Sequence, residues 1–409
     1  MQHSIKTAII GGGAAGFFAA IQLKENFPHA EVHIFEKAAK VLSKVKITGG
    51  GRCNVTNAVA TIPELLKAYP RGGKKLKKLF YQFNNQHMMK WLEDRGVELV
   101  VQEDLCVFPK AQDSQVIIDL FLKECSRLNI KIHLRHSLIG LKPNGNALQL
   151  LWKDSSQKPL LFDKVLVSTG GSPDGKALEW LQKLGHTIEP PVPSLFTFNM
   201  PQESIRKLMG VVVEKVQVSI QGTKLKSQGP LLITHWGMSG PAILILSSYG
   251  ARLLAERNYV FNIQVNWVDE VNQESIKEEL EHIITDHPQK KLANYRPYKI
   301  PERLWLFMLD KISLSPEKTW SELGKKGLNQ LISVLSNDIY QVKGKTTFRE
   351  EFVTCGGLSL QSVNMQTLES KLIPNLYFAG EVLDIDAITG GYNLQAAWTT
   401  AFVFAQLKK

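Results

Sequence analysis

The 409-residue chain is 44% hydrophobic and 21% charged, which is ordinary for a globular protein of two or three domains. No apolar run approaches the ~20 residues that span a bilayer and the amino terminus has no leader pattern, so we expect a cytoplasmic protein without membrane contact. The formal net charge of +11 attracts phosphate-rich partners without identifying one. The four cysteines are widely spaced and form no CxxC pair, which argues against a disulfide framework or a metal site.

The chain begins with a strand, a helix and a second strand. Lys6–Ile10 is a short apolar strand, Ala14–Asn26 carries apolar residues at helical spacing, and Glu31–Phe35 alternates as a strand. This order predicts a βαβ beginning and an α/β fold. The segments that follow are predicted as an amphipathic helix over 74–94, a helix over 114–128, and strands over 130–134, 147–152 and 164–167.

The proline-rich sequence EPPVP at 189–193 is predicted to break both helix and strand, and it marks the first domain boundary. Alternating strand patterns follow, a charged helical pattern then continues to about residue 336, and strand character returns near Gly344. We therefore expect a discontinuous first domain with an insertion. The predicted parts are 1–193 and 346–409 for the first domain, 194–268 for an inserted β-rich domain, and 269–345 for a helical region that returns to the β-rich domain.

Residues 11–16 match the pattern GxGxxG directly after the first strand and at the start of the first helix. Gly11 allows a tight turn, Gly13 lets the backbone approach a pyrophosphate, and Gly16 permits close packing of helix on sheet. Glu36 ends the second strand, where a carboxylate accepts hydrogen bonds from ribose hydroxyls. This context favours a dinucleotide site over an ordinary glycine turn. The candidate ligands are Gly11, Gly13, Ala14, Ala15, Gly16, Glu36 and Lys37.

The sequence LYFAGEVLDIDAITGGYNLQAA at 376–397 again combines a strand, a glycine turn and the start of a helix. In flavoproteins of the glutathione-reductase kind, a late segment of this form covers the ribityl chain and the pyrimidine end of FAD. The pattern therefore predicts a Rossmann-type FAD-binding domain of that kind; the alternative is a surface turn before a core helix. Asp384 or Asp386 is expected to bind ribityl hydroxyls. The other candidates in this segment are Gly380, Glu381, Gly390, Gly391, Tyr392 and Asn393.

Two further glycine-rich stretches are KITGGGRCNVTN at 46–57 and STGG at 168–171. Because the pyrophosphate already has its own turn, we expect the first of them to lie along the flavin end. We find no second GxGxxG unit with its own acidic residue, so NAD(P)H is expected only as a transient electron donor, or another donor reduces the flavin. These stretches add the candidates Gly50, Gly51, Arg52, Thr169 and Gly170.

Five motifs occur in order across nearly all of the chain: GGGAAG, KITGGGRCNVTN, THWGMSGPAIL, TCGGL and GEVLDIDAITGGYNLQ. They resemble the signatures of the HI0933-like family of bacterial FAD-binding flavoproteins, also named NAD(P)/FAD-dependent or aminoacetone-oxidase-like oxidoreductases. The resemblance implies an FAD domain interrupted by a β-barrel-like region and a small helical region. It also implies reduction of carbon–carbon double bonds, as in the conversion of a uridine to dihydrouridine in large-subunit ribosomal RNA or in bile-acid reduction.

Cys53 is a candidate proton donor, because it has no nearby cysteine with which to carry out dithiol chemistry. Beside the flavin N5 it would protonate the carbon next to the one that receives hydride. Arg52, Lys46 and Lys44 are expected to lower its pKa, which favours the thiolate and weakens that role. The alternative is a small side chain packed under the glycine-rich loop.

His235 in THWGMSGP is the second catalytic candidate, since its segment is polar, contains glycine and precedes a helix. His235 and Ser239 would then face the substrate or the flavin edge. The alternative is a helix-capping turn with Ser239 at its start. The spacing of serine, histidine and aspartate predicts no catalytic triad.

The sequence PRGGKKLKKLF at 70–80 concentrates positive charge. Such a patch would neutralise several phosphates of ribosomal RNA and make binding strongly salt-dependent. The alternative is a helix face that is simply solvated. The patch consists of Arg71, Lys74, Lys75, Lys77 and Lys78.

Three functional hypotheses follow. The preferred one is an FAD-dependent oxidoreductase that transfers hydride to the C=C bond of a uridine in large-subunit ribosomal RNA. The second is an FAD-dependent oxidoreductase of a small molecule, either an amine or an enone. The third is a non-catalytic RNA-binding or assembly factor with a structural flavin. The sequence indicates no oligomeric state.

Overall fold

The computed structural model describes residues 5–346 and 353–407. Its chain divides into two units: one combines Met1–Ser194 with Arg349–Lys409, and the other comprises Leu195–Phe348. The sequence analysis placed the two boundaries at 193/194 and 345/346. Residues 347–352, next to the second boundary, lie outside the described residues.

The first unit begins with an alternation of strands and helices. Its strands up to residue 194 are β1 (Lys6–Ile10), β2 (Glu31–Phe35), β3 (Thr56–Asn57), β4 (Leu99–Val101), β5 (Cys106–Pro109), β6 (Lys131–His133), β7 (Leu138–Asn144), β8 (Ala147–Trp152), β9 (Leu160–Phe162), β10 (Lys164–Val167) and β11 (Ile188–Pro193). Its helices in this part are α1 (Ala14–Asn26), α2 (Ser43–Ile47), α3 (Ile62–Lys67), α4 (Gly73–Phe80), α5 (Asn85–Glu93), α6 (Gln115–Arg127) and α7 (Glu179–Lys183).

Among the described residues, the second unit has antiparallel strands and four α-helices. Its strands are β12 (Thr197–Asn199), β13 (Val212–Ile220), β14 (Lys226–Ile233), β15 (Gly237–Ser239), β16 (Val260–Asn266), β17 (Asp338–Lys343) and β18 (Lys345–Thr346). Its helices are α8 (Pro241–Glu256), α9 (Gln273–Asp286), α10 (Glu302–Lys311) and α11 (Gly324–Ser336). The chain then returns to the first unit through β19 (Thr354–Leu358), β20 (Val363–Asn364), β21 (Glu369–Ser370), β22 (Leu376–Phe378) and α12 (Tyr392–Ala405).

The first unit is built on a sheet with the strand order β20-β21-β22-β10-β1-β2-β6. The pairs β22·β10, β10·β1, β1·β2 and β2·β6 are parallel, and β1 lies between β2 and β10. Nearly every residue of β1, β2 and β10 is buried, as expected for parallel strands covered on both faces. The Rossmann-type α/β fold predicted from the sequence is therefore confirmed.

Helices α1 and α12 pack together in the core of this unit although one starts near residue 14 and the other ends near residue 405. Phe18 of α1 meets the rings of Trp91 and Trp398 at centroid distances of 5.0 and 5.6 Å. The side-chain amide of Asn26 donates to the carbonyl of Ala405 at 3.0 Å. Both helices are apolar, yet among the described residues no helix combines the length and the hydropathy needed to cross a membrane.

The helix predicted over 74–94 is two helices, α4 and α5, so that prediction was wrong. The backbone N–H groups of Gln86 and His87 both bond to the side-chain oxygen of Asn84. In return, Nδ1 of His87 accepts from the backbone N–H of Asn84 at 3.1 Å. This capping box starts a new helix at Asn85, because an asparagine side chain competes with the backbone for the hydrogen bonds of a continuous helix.

The prediction that EPPVP breaks a strand was also wrong, since Ile188–Pro193 forms β11 and pairs antiparallel with β19. The pairing shifts register between Glu189 and Val192. The two prolines at 190 and 191 fall in that irregularity, where missing N–H groups remove no regular ladder bond. The prolines are tolerated because β11 is an edge strand of its two-stranded sheet.

The second unit has one hydrophobic core that joins its sheet and its helices. The sheet runs in the order β17-β16-β13-β14-β15-β12-β18, and its first and last strands are separated in the chain only by Gly344. A sheet whose two edges belong to one continuous segment is closed on itself. This closure matches the β-barrel-like region that the family resemblance implied.

Two histidines on β2 and β6 make stability depend on pH. Nδ1 of His33 lies 2.9 Å from Nε2 of His133, and their rings stack 5.1 Å apart. Burial lowers the pKa of both, for His133 to about 4, and the neighbouring His33 adds to the shift in His133. In the unfolded chain both regain a pKa near ~6.5 and bind more protons than the folded protein does. Stability is therefore full above about pH 6.5 and is lost as the pH falls towards 4.

We expect the urea midpoint of the protein to decrease when the pH is lowered from 7.5 to 5. The variant His133→Gln should make this decrease smaller, because one depressed pKa is then absent. The matched control is His29→Gln, an exposed histidine of the same unit. The measurement is the urea midpoint at each pH. A His133→Gln profile as steep as that of the unaltered protein would contradict the assignment.

Candidate functional site

Three of the predicted turns meet at the carboxyl edge of the parallel sheet. The turns at 11–16, 168–171 and 379–381 follow β1, β10 and β22, which are neighbours in the sheet. The hydroxyl of Ser168 donates to the carbonyl of Gly11 at 3.2 Å. A methyl group at Gly380 would lie 3.0 Å from Cβ of Ala15. Ligands of open α/β sheets bind at this edge, where the strand order reverses.

The turn at 11–16 leaves space beside the start of α1. The helix begins after Gly13 without a side-chain cap, so its first backbone N–H groups are available to an anion. A methyl group at Gly13 would meet nothing within 4 Å, whereas one at Gly16 would lie 2.0 Å from the carbonyl oxygen of Gly11. Gly16 is therefore needed for packing, and Gly13, Ala14 and Ala15 border a space that suits a pyrophosphate.

Glu36 is placed at the end of β2, partly exposed beside the glycine turn. Its carboxylate accepts from the backbone N–H of Gly12 at 2.9 Å and of Ala38 at 2.8 Å. These bonds hold it at the position from which a ribose hydroxyl would be reached, and that contact stays a prediction. Lys37 is exposed, and its side chain points to no partner among the described residues.

The glycine-rich stretch at 46–57 follows α2. Gly49, Gly50 and Gly51 all have positive φ angles, and a methyl group at Gly50 would meet nothing within 4 Å. The guanidinium of Arg52 lies 4.2 Å from the ring centroid of Phe108 and donates to the carbonyl of Gly49 at 3.2 Å. Arg52 thus supports the loop, while the open side of Gly50 and Gly51 is available to a cofactor.

This stretch joins the late segment of the chain. The side-chain amide of Asn57 donates to the carbonyl of Gly390, 333 positions away, at 3.2 Å. The hydroxyl of Thr56 donates to Oε1 of Gln395 at 2.7 Å. A methyl group at Gly391 would lie 2.3 Å from the carbonyl oxygen of Thr56. The two glycine-rich segments therefore form one wall, as a site for the flavin end of FAD requires.

The loop before α12 is held by its own side chains. The amide of Asn393 accepts from the N–H of Ala387 at 2.9 Å and donates to its carbonyl at 3.0 Å. The hydroxyl of Tyr69 donates to the carbonyl of Tyr392 at 2.6 Å. Asn393 and Tyr392 were predicted as cofactor ligands, and the structure gives their polar groups a role in shaping the loop.

Asp386 is fully buried, and its carboxylate is bound by Arg71 and Ser194. Nε and Nη2 of Arg71 contact the two carboxylate oxygens separately, which is the bidentate geometry that arginine favours. The predicted bond from Asp386 to ribityl hydroxyls is therefore corrected, because the carboxylate is 0% exposed and is bound by groups of the protein itself. Arg71 was predicted in the surface patch, and this too is corrected, since its side chain is only 15% exposed.

Glu381 lies between the second glycine turn and the motif TCGGL. Its carboxylate accepts from the backbone N–H of Thr354 and from the ammonium of Lys44, each at 3.0 Å. It also borders the turn of Thr169 and Gly170, and a methyl group at Gly171 would lie 2.7 Å from it. Sequence reasoning missed Thr354 and Lys44 as members of this site. The TCGGL motif was the signal that pointed to Thr354.

The side chain of Cys53 is 0% exposed in the core of the first unit. Burial raises its pKa to about 12, so the thiol keeps its proton at neutral pH. The predicted lowering of this pKa by Arg52, Lys46 and Lys44 was wrong, because Lys44 and Lys46 pair with carboxylates and Arg52 lies over an aromatic ring. The φ angle of Cys53 is +62°, which is unusual for a residue other than glycine.

His235 belongs to the second unit and is exposed. Its ring meets the ring of Trp236 at 4.2 Å, and its carbonyl accepts from the guanidinium of Arg206 at 3.3 Å. The alternative that Ser239 caps the following helix is wrong, because Ser239 is in β15 and the cap residue is Gly240. The catalytic role of His235 stays a prediction.

Four of the five predicted patch residues form an exposed face of α4, which we call the lysine face. Leu76, Leu79 and Phe80 are buried on the opposite side of the helix. A methyl group at Gly72, which precedes the helix, would lie 2.6 Å from the side chain of Ile385 in the loop before α12. The lysine face therefore starts beside the loop before α12, which we call the flavin-side loop. It consists of Lys74, Lys75, Lys77 and Lys78.

Comparisons with known proteins match nearly the whole chain. The family model described as the HI0933-like protein Rossmann domain matches residues 5–407. The ribosomal RNA dihydrouridine synthase of Escherichia coli is 29% identical over 414 residues, covering 97% of this chain and 96% of that protein. The 3-dehydro-bile acid delta(4,6)-reductase of Clostridium scindens is 25% identical over 406 residues, covering 97% of each. The ribosomal RNA dihydrouridine synthase of Haemophilus influenzae is 25% identical, covering 99% of this chain and 98% of that protein.

A solved structure supports the fold alone. A variant of the FrdA subunit of E. coli quinol fumarate reductase aligns with a TM-score of 0.51 at 12% identity. The alignment covers 99% of this chain and 70% of that chain.

The space beside α1 and the wall formed by 46–57 and 390–395 fit FAD, and the non-catalytic alternative is set aside. The chain belongs to the HI0933-like family and is an FAD-dependent oxidoreductase.

Proposed function

We propose that this enzyme reduces a C=C bond of a uridine in large-subunit ribosomal RNA to give dihydrouridine. The observation that carries the proposal is the lysine face, which begins beside the flavin-side loop and has the positive charge that a phosphate backbone needs. Two relatives named ribosomal RNA dihydrouridine synthases, aligned over 97% and 99% of the chain, support the same substrate.

The reaction adds one hydride and one proton across a double bond conjugated to a carbonyl. FAD, held by the turn at 11–16 and the wall of 46–57 and 390–395, would supply the hydride to the electron-poor carbon, and the proton would go to the adjacent carbon. We propose NAD(P)H as the reductant that reloads FAD, bound transiently because the sequence contains no second dinucleotide unit. The wall of 46–57 and 390–395 orients the reacting groups, and the surrounding core keeps water away from them.

We propose the Cys53 thiol as the proton donor. Burial keeps the proton on Sγ over the neutral range. The proposal rests on the place of Cys53 in the 46–57 stretch and not on its acidity, since a general acid works best with a pKa near the operating pH. Its positive φ angle is a local strain of the kind found at functional sites. His235 is the other candidate donor. Substrate reduction measured in a variant of each residue distinguishes the two candidates.

Cys53→Ala is expected to slow substrate reduction by about 10²-fold or more, because the carbon that must be protonated then has no positioned acid. Flavin reduction by NAD(P)H should stay unchanged, since it needs no such proton. The two half-reactions are measured by stopped-flow absorbance. The control is Cys125→Ala, another buried thiol of the same core whose pKa is also raised to about 12. Normal substrate reduction by Cys53→Ala would leave Cys53 as a packing residue.

The substrate is tested by mass spectrometry of large-subunit ribosomal RNA from a strain that lacks the gene. We expect one dihydrouridine to be lost and to return when the unaltered gene is restored. A strain carrying Gly391→Ala, which is designed to impair FAD binding, serves as the matched control and should not restore it. Retention of every dihydrouridine in the deletion strain would overturn the ribosomal RNA assignment.

A second candidate function is reduction of a small conjugated enone. It is favoured by the C. scindens relative, whose name describes reduction of a bile acid. The lysine face separates the two candidates. Replacing Lys74, Lys75 and Lys77 by alanine should weaken activity on RNA and reduce its salt dependence, because fewer phosphates are neutralised. Activity on an enone should not change.

A further inference from the structure

A cavity of about 280 Å³ lies at the carboxyl end of α12, remote from the flavin-side wall. The amino end of α12 adjoins Gly391, and a helix of 14 residues rises about 20 Å, so the cavity is a separate site. It is formed by the end of α4, the turn before β21, β22 and the end of α12. The lining residues are Lys78, Leu79, Gln82, Gln366, Thr367, Glu369, Tyr377, Val403, Phe404, Gln406 and Leu407.

The floor of the cavity is apolar and aromatic. Tyr377 and Phe404 are 6% and 1% exposed, and their rings meet at a centroid distance of 5.2 Å. The ammonium of Lys164 lies 3.3 Å from the hydroxyl of Tyr377 and fixes the ring from below. The two rings therefore close the bottom of the cavity and expose almost none of their own faces to it.

The rim of the cavity is polar and exposed. It carries the amides of Gln82, Gln366 and Gln406 and the ammonium of Lys78. Within the described residues, the side-chain amides of Gln82 and Gln366 make no hydrogen bond. An amide presents a donor and an acceptor together, which is the pattern that the edge of a nucleobase requires.

The cavity is continuous with the lysine face. Lys78 belongs to both, and Lys74 lies one helical turn before it on the same side of α4. The cavity is at the small end of the range for ligand pockets, so it suits a single ring system rather than a larger molecule. Its lining carries the ammonium of Lys78, the carboxylate of Glu369 and the rim amides. The amides suit the edge of a base, and Lys78 suits its phosphate.

We propose that this cavity binds one nucleotide of a single-stranded RNA segment, with the edge of the base at the amides of Gln82 and Gln366 and the phosphate at Lys78. The proposal rests on the proposed function, because it assigns a second contact to the same RNA substrate. It is a binding subsite away from the reacting atoms. The bases of single-stranded RNA are recognised in part by hydrogen bonds to their edges.

The test is fluorescence anisotropy of the holoenzyme with fluorescein-labelled ribohexanucleotides of U, C or A. A hexamer of abasic ribose phosphates measures backbone binding alone. The unaltered protein should bind at least one base-bearing hexamer about tenfold more tightly than the abasic one. The double variant Gln82→Ala/Gln366→Ala should lose this difference and keep its affinity for the abasic hexamer. Gln86→Ala, an exposed glutamine on α5, is the control and should keep the difference.

Equal binding of base-bearing and abasic hexamers by the unaltered protein would overturn the proposal. Binding of free nucleoside monophosphates as tight as binding of the hexamers would overturn the assignment to RNA and identify a free-nucleotide site. The result is separable from the proposed function. If the deletion strain loses dihydrouridine but the protein binds base-bearing and abasic hexamers equally, the proposed function stands and the subsite is wrong. If the deletion strain keeps every dihydrouridine but the protein prefers base-bearing hexamers, the subsite stands and the proposed function is wrong.

Discussion

Arg71→Ala is expected to lower the free energy of unfolding of the FAD-binding unit by about 3–5 kcal/mol, the cost of leaving a buried charge unpaired. Asp386 is fully buried, and Arg71 is the cation that contacts both of its carboxylate oxygens. The hydroxyl of Ser194 alone cannot neutralise that charge. The measurement is urea unfolding followed by flavin fluorescence.

The matched control is Lys74→Ala, which removes an exposed cation three positions later and should change the free energy of unfolding by less than about 0.5 kcal/mol. The double variant Arg71→Met/Asp386→Asn removes both charges and should recover more than half of the loss, since burying a neutral amide costs less than burying a carboxylate. A loss below about 1 kcal/mol in Arg71→Ala would show that the carboxylate does not depend on Arg71.

Gly391→Ala is expected to reduce the FAD content of the purified protein by about tenfold or more, as expected from an added clash of more than ~1.4 kcal/mol. Gly391 has a φ of +85°, and its added methyl group would lie 2.3 Å from the carbonyl oxygen of Thr56. The strands and loops on the two sides of this contact would have to separate, which opens the wall at the flavin end. The measurement is the ratio of flavin to protein absorbance after dialysis.

The variant Gly96→Ala distinguishes backbone strain from the clash with Thr56 as the cause of the FAD loss. Gly96 has a similar φ of +80°, but its methyl group would meet nothing within 4 Å. This control should cost about 1 kcal/mol of stability through the backbone alone and leave the FAD content unchanged. Equal FAD loss in both variants would mean that backbone strain, and not the contact with Thr56, explains the result.

Local signals in the sequence predicted the FAD-binding fold well. The first strand, helix and second strand were predicted with the observed bounds, because apolar spacing and the GxGxxG turn are properties of neighbouring residues. The predicted bounds of helices and strands were wrong where a side-chain bond or a register shift determines them. Asn84 ended one helix and started another, and the register shift after Glu189 allowed prolines in a strand.

The electrostatics of the site were predicted poorly. The sequence places Cys53 beside three cations, yet its pKa is raised by burial, which no list of neighbours in the chain reveals. Arg71 was counted with the lysines that follow it, although its partner Asp386 lies 315 positions away. A cluster of charged residues in the sequence therefore does not give the charge of the surface when one of those residues is buried.

The sequence alone determined the dinucleotide turn, the choice of FAD, the family and the interrupted first domain. Each of these depends on motifs whose residues are close in the chain. Only the tertiary structure decided which distant segments meet. It joined Asn57 to Gly390, Glu381 to Thr354 and Arg71 to Asp386, and it formed the cavity at the end of α12. The physical reason is that the order of parallel strands in the sheet, and not their order in the chain, determines which turns share an edge.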